Sequence, residues 1–110
     1  MGVRIQEFEA IWDMSRAFRQ FQKADRLFTN DKTDDAVKHL EKGYELTSRA
    51  LDHLEKAEED AYKQAGKKFD EGNKYLQKSI DDYADGKDKS ASRHYDDAME
   101  SYDKAFDMLD

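Results

Sequence analysis

The chain carries three histidines, His39, His53 and His94, and no cysteine. Metal, acid–base and nucleophilic chemistry must therefore be sought around imidazoles, carboxylates and hydroxyls. Di-iron helical bundles use Glu-x-x-His, because residues three apart share a helix face. Three residues before the histidines stand Ala36, Ala50 and Ala91, so that motif is absent. His94 and Asp97 have the reversed spacing, but the corresponding pair, His39 and Lys42, does not repeat it. One alternative stays open, a small-ligand or metal-binding bundle in which His39 and His94 reach between helices. Haem held by Met14 and His94 fails on height, since the two differ by roughly 15 Å along a bundle at 1.5 Å per residue. The glycines Gly2, Gly43, Gly66, Gly72 and Gly86 are scattered, and no nucleophile elbow or phosphate loop is present. Asp81-Asp82 and Asp96-Asp97 read as solvated charge. Asp85-Gly86-Lys87-Asp88 lacks the alternating acidic ligands and distal glutamate of a calcium loop. The expectation is a protein that is not an enzyme, with no catalytic residue, cofactor or metal.

Composition narrows the classes further. The chain has 110 residues, 41% charged and 37% apolar, without proline. That length suits one domain over residues 1–110, or one that completes its core by association. The longest apolar run is too short to span a bilayer or form a signal-peptide core, and Gln6 stands where a myristoylation signal requires Ser or Thr. A cytoplasmic, soluble protein without membrane contact is expected. The net charge of −7 is too small to dictate disorder, so periodicity decides the fold.

The elements that would position any site are helices. Thr29-Asn30-Asp31-Lys32-Thr33 and Ala84-Asp85-Gly86-Lys87-Asp88 are the two clear turn signals. Asn30 and Gly86 are the expected left-handed residues past a helix end, with Thr33 and Asp88 capping the helices that follow. Comparing residue i with i+55 superposes the two turns and gives nine identities in 34 ungapped pairs, including His39 with His94 and Ala50 with Ala105. An internal duplication follows, with hairpin 1 over about 3–55 and hairpin 2 over about 58–110.

Helical periodicity then assigns the core. The second helix offers Ala36, Leu40, Gly43, Thr47, Ala50 and Leu54, and the fourth Ala91, Tyr95, Ala98, Tyr102, Ala105 and Leu109. The first supplies Ala10, Met14, Ala17, Phe21 and Phe28, and the third Tyr62, Ala65, Phe69, Leu76, Ile80 and Tyr83. Small residues alternating with large ones favour close, interdigitated packing. The fold expected is an all-α, antiparallel up-down-up-down four-helix bundle of two repeated hairpins. Residues 55–61 carry no helix breaker, which leaves an alternative: a three-helix chain with one long central helix, roughly 75 Å at 1.5 Å per residue, in an intertwined dimer.

The repeat also exposes where symmetry fails. Ile5, Phe8 and Trp12 lie opposite the core side of the first helix, and their counterparts are Asp60, Lys63 and Lys67. The same face continues as Arg16, Arg19, Lys23 and Arg26. Residues 1–32 carry net +1 and residues 33–110 net −8. An apolar patch leading into a basic stripe suits a protein contact, either a homodimer or an acidic partner. The alternative that stays open is cover for one end of the bundle, with the arginines paired to the acidic helices. Four spaced cations on an acidic protein are a poor footprint for nucleic acid. No specific small molecule is indicated.

The segment Asp97–Phe106 resembles the second helix of a tetratricopeptide repeat in the spacing of Ala98, Tyr102 and Ala105, and Ala36, Leu40 and Gly43 are a looser echo. Microtubule-interacting-and-transport domains use similar helices. The resemblance implies a peptide-binding scaffold. The period of 55 departs from the repeat family's 34, and the helix before each turn lacks its aromatic-glycine pattern.

Overall fold

Four helices make up the structure, a computed structural model that describes residues 2–56 and 60–109, with side chains for 8–56 and 62–108. They are α1 (Gly2–Thr29), α2 (Thr33–Glu55), α3 (Asp60–Ala84) and α4 (Asp88–Leu109). The bundle measures 45 × 19 × 19 Å, the length of one 28-residue helix and the width of two packed side by side. Among the described residues, no helix is long and apolar enough to cross a membrane.

Each hairpin reverses on a single left-handed residue. In the first, Asp31 has φ 61°. The Lys32 amide donates to the Leu27 carbonyl at 2.8 Å and the Asp31 amide to Phe28 at 3.1 Å. In the second, Gly86 has φ 75°, and the Lys87 and Gly86 amides reach Asp82 and Tyr83 at 2.8 and 3.1 Å. Both are Schellman closures, which satisfy the last helical carbonyls. Asn30 was the expected left-handed residue; the position falls one later, on Asp31, the repeat mate of Gly86. Thr33 is likewise not a cap. It is the first residue of α2, which follows Lys32 and receives no side-chain cap bond there. Asp88 correspondingly opens the first turn of α4, where its negative charge favours the helix dipole.

The unmarked junction is a reversal. A Cβ on Gly66 of α3 would lie 3.7 Å from Leu51 Cδ1 and 3.8 Å from Leu54 Cβ of α2. On one continuous helix, residues 51 and 66 would be roughly 22 Å apart. Lys56 closes α2, its amide bonding back to Asp52. Residues 57–59 lie outside the described set, but the chain must fold back between α2 and α3. The long central helix is therefore not formed.

The assigned stripes are the core. Ala10, Met14, Ala17, Phe21, Ala36, Leu40, Ala50, Leu54, Ala65, Phe69, Leu76, Ala98, Tyr102 and Ala105 are all buried in one cluster. Phe28, Ile80, Tyr83 and Tyr95 are half-buried at its edge. Leu109's side chain lies outside the described residues.

Large faces small within each hairpin, in opposite senses. In the first, the α1 ring of Phe21 lies against Gly43 of α2, leaving no space for a Cβ. In the second, the α4 ring of Tyr102 lies against Gly72 of α3 in the same way. The two rings stack on each other, centroids 5.9 Å apart and planes 11° from parallel.

A pseudo-twofold axis runs along the bundle. Phe28 and Tyr83, repeat mates on α1 and α3, stack at 4.8 Å. Thr47 and Tyr102, mates on α2 and α4, bring their hydroxyls within 3.5 Å. Residues that touch their own counterparts must sit beside the axis. The four seams are not alike, however. Backbones approach closely within each hairpin and between α2 and α3. Between α1 and α4 the contact passes through rings, with Phe18 on Phe106 at 5.2 Å and Phe21 edge-on to Tyr95.

Candidate functional site

On α1, positions 8, 12, 19, 23 and 26 project away from the core stripe, because at 100° per residue they lie opposite Ala10, Ala17, Phe21 and Ala24. Phe8 is 70% exposed and Trp12 58%, in a molecule that hides nearly all its other large apolar side chains. Ile11 is 42% exposed beside them. Ile5 falls outside the residues with described side chains. Further along the face, Arg19, Lys23 and Arg26 have no ion-pair partner among the described residues. Arg16 is set apart, since its guanidinium lies 3.8 Å from Asp13. The structure thus brings Phe8, Trp12, Arg19, Lys23 and Arg26 onto one surface, with Arg16 at its edge.

Two contributors escaped the periodicity. Ile11 extends the α4-facing row of Phe18 by two turns, past the last described turn of α4, where no ring covers it. Met108, near the end of α4, is 38% exposed at the same end of the bundle. The signal for Ile11 lay in the repeat, where its mate is Gly66.

Carboxylates and histidines are tied together within hairpins. Asp13 is buried, 7% exposed, with His53 Nε2 3.7 Å away and His53 Nδ1 3.1 Å from Glu9. In hairpin 2, Asp82 Oδ2 accepts from the Ser90 hydroxyl at 2.7 Å and meets His94 Nδ1 at 2.8 Å. The Ser90 hydrogen bond foremost, then His94, holds the Asp82 carboxyl below the usual carboxylate range. Asp82 is therefore not the solvated charge its acidic neighbour suggested. It joins α3 to α4, and helical periodicity along α3 alone does not reveal a cross-helix partner. Because the Ser90 proton goes to Asp82 rather than to His94, the three residues do not form a nucleophile–base relay.

His39 sits differently. Its Nδ1 is 2.7 Å from Gln20 Oε1, which can only accept, so Nδ1 carries the proton. His39 and His94 are each bound inside their own hairpin and do not converge on a shared site. Among the described residues no group of His, Asp and Glu has metal-ligand geometry.

Burial raises the hydroxyl pKa of Tyr95 and of Tyr102. Tyr102 is lifted by its buried position, and its hydroxyl donates to Asn73 Oδ1 at 2.6 Å. Burial, then the Asp25 charge, raises Tyr95. No family model, curated protein or solved structure matches the chain.

Proposed function

We propose that the protein acts without catalysis, by docking an acidic protein partner on the outer face of α1. The observation that carries this reading is the juxtaposition of exposed Phe8, Ile11 and Trp12 with the unpaired cations Arg19, Lys23 and Arg26. At their exposures, the three apolar side chains present roughly 300–400 Å² of apolar surface. A standard interface takes about 800 Å² from each partner, so the contact must extend onto the basic stripe. A second copy meeting this face with its own would set two basic stripes in one interface. An acidic segment carrying apolar anchors fits both halves, the aromatics supplying desolvated area and the cations speeding and orienting the encounter.

Capture and solution mass test this with three proteins in parallel: the parent chain, Trp12→Ala, and Arg19→Glu combined with Arg26→Glu. All substituted residues are exposed, so helicity by circular dichroism should be unchanged. Trp12→Ala should cost about 2 kcal/mol of binding, some thirtyfold in Kd. The double charge reversal should weaken binding further and remove most of its salt dependence. Identical partners and identical mass for all three proteins would sink the proposal. A mass that halves in Trp12→Ala would reassign the face to self-association.

A further inference from the structure

The two hairpins treat equivalent histidines in chemically opposite ways. In hairpin 2, His94 lies against the Asp82 carboxylate, and Tyr75 stacks on the imidazole at 6.4 Å. The mates of Asp82, Asp81 and Tyr75 in hairpin 1 are Leu27, Arg26 and Gln20. The anion beside the histidine has thus become a leucine, and the neighbouring aspartate an arginine. Lys23, mate of Lys78, keeps its charge.

What results is a notch of about 260 Å³ lined by Lys23, Arg26, Leu27 and His39. Gln20 turns the His39 ring by accepting its Nδ1 proton at 2.7 Å. Lys23 and Arg26 have no carboxylate partner among the described residues. The acid one helical turn before His39 on α2 is Asp35, mate of Ser90. It is 62% exposed and pairs with Lys38 at 4.0 Å, so it does not neutralise the notch as Asp82 neutralises its counterpart.

We propose that this notch is an oxyanion site that takes a carboxylate side chain of the acidic partner, a reading that rests on the function proposed above. Hairpin 2 carries its own carboxylate at the equivalent place; hairpin 1 receives one from outside. The guanidinium of Arg26 offers paired donors to a carboxylate, Lys23 adds a point charge, and His39 forms one wall. The notch adjoins the basic stripe, so one partner segment can fill it while its apolar residues reach Trp12 along the same helix.

The test needs no partner. Acetate, and then a short polyglutamate peptide, are titrated at constant pH and ionic strength against chloride, with the imidazole carbon-bound protons of His39 and His94 observed by NMR. His39 should shift saturably with both carboxylates and not with chloride, while His94, its site already filled, stays still. Leu27→Asp supplies the internal anion of hairpin 2 and should abolish the response. Arg26→Asp or the exposed Lys23→Glu should weaken polyglutamate about fivefold, the upper end of one exposed ion pair. Equal shifts at both histidines, an equal response to chloride, or a response untouched by all three variants would overturn the site. Trp12→Ala should leave the acetate response intact. A silent His39 with Trp12-dependent capture would reject the notch and keep the docking face; the reverse would reject the docking face and strand the notch without its partner.

Discussion

At the scale of single residues, the interactions that distinguish the two hairpins are carried by acids placed beside histidines. Asp82 has a depressed pKa through Ser90 and His94. Its ionised form is favoured in the folded chain relative to the unfolded one. The stabilisation is therefore present above the ordinary carboxylate pKa of about 4 and lost as pH falls through the lower folded value. Asp82→Asn should lower the melting temperature at neutral pH, and the gap from the parent should close as thermal melts are repeated at increasing acidity. A gap that widens on acidification would show the charge is not what matters. These contacts were the least legible part of the sequence. Asp82 reads from periodicity as solvated charge and Asp13 carries no distinguishing signal, because what covers them is a partner on another helix. The aromatic face was legible because Phe8 and Trp12 have lysine mates, a contrast visible without coordinates.

At the scale of elements, the apolar stripes predicted from 3.6-residue periodicity are those that pack, because no proline interrupts them and each stripe keeps one side of its helix apolar along its length. Turn position was legible to one residue: composition favoured Asn30, whereas the Schellman geometry places the left-handed residue at Asp31. The finer matching of volumes was not legible, since it depends on which helix levels face each other. Phe21 against Gly43 in hairpin 1 corresponds to Leu76 and Ala98 in hairpin 2, a larger–smaller pair redistributed at nearly constant volume. Gly43→Ala should destabilise by about 1–3 kcal/mol through overpacking, since its Cβ would run into the Phe21 ring. Adding Phe21→Leu, which copies the second hairpin's pair, should restore most of that loss in a denaturant titration. If the double variant is no better than Gly43→Ala alone, the two hairpins do not pack equivalently.

For the whole molecule, the unequal seams imply unequal opening. Close backbones join α2 to α3, whereas rings bridge α1 to α4. Partial unfolding follows the regions with fewer packed contacts. Phe106→Ala removes the rings' contacts with Phe18 and Phe69. In hydrogen-exchange measurements it should accelerate the amides of α1 and α4 well before those of α2 and α3. Uniform acceleration would instead mean that the four helices open together. The pseudo-twofold axis has another consequence. Where two identical hairpins pair, a position on the axis must hold the same residue twice: two threonines at the Thr47 level, or two tyrosines. Joined in one chain, the hairpins are released from that identity. One side can contribute a ring and the other the space for it, and the same freedom lets one hairpin keep its carboxylate while its twin leaves the place vacant.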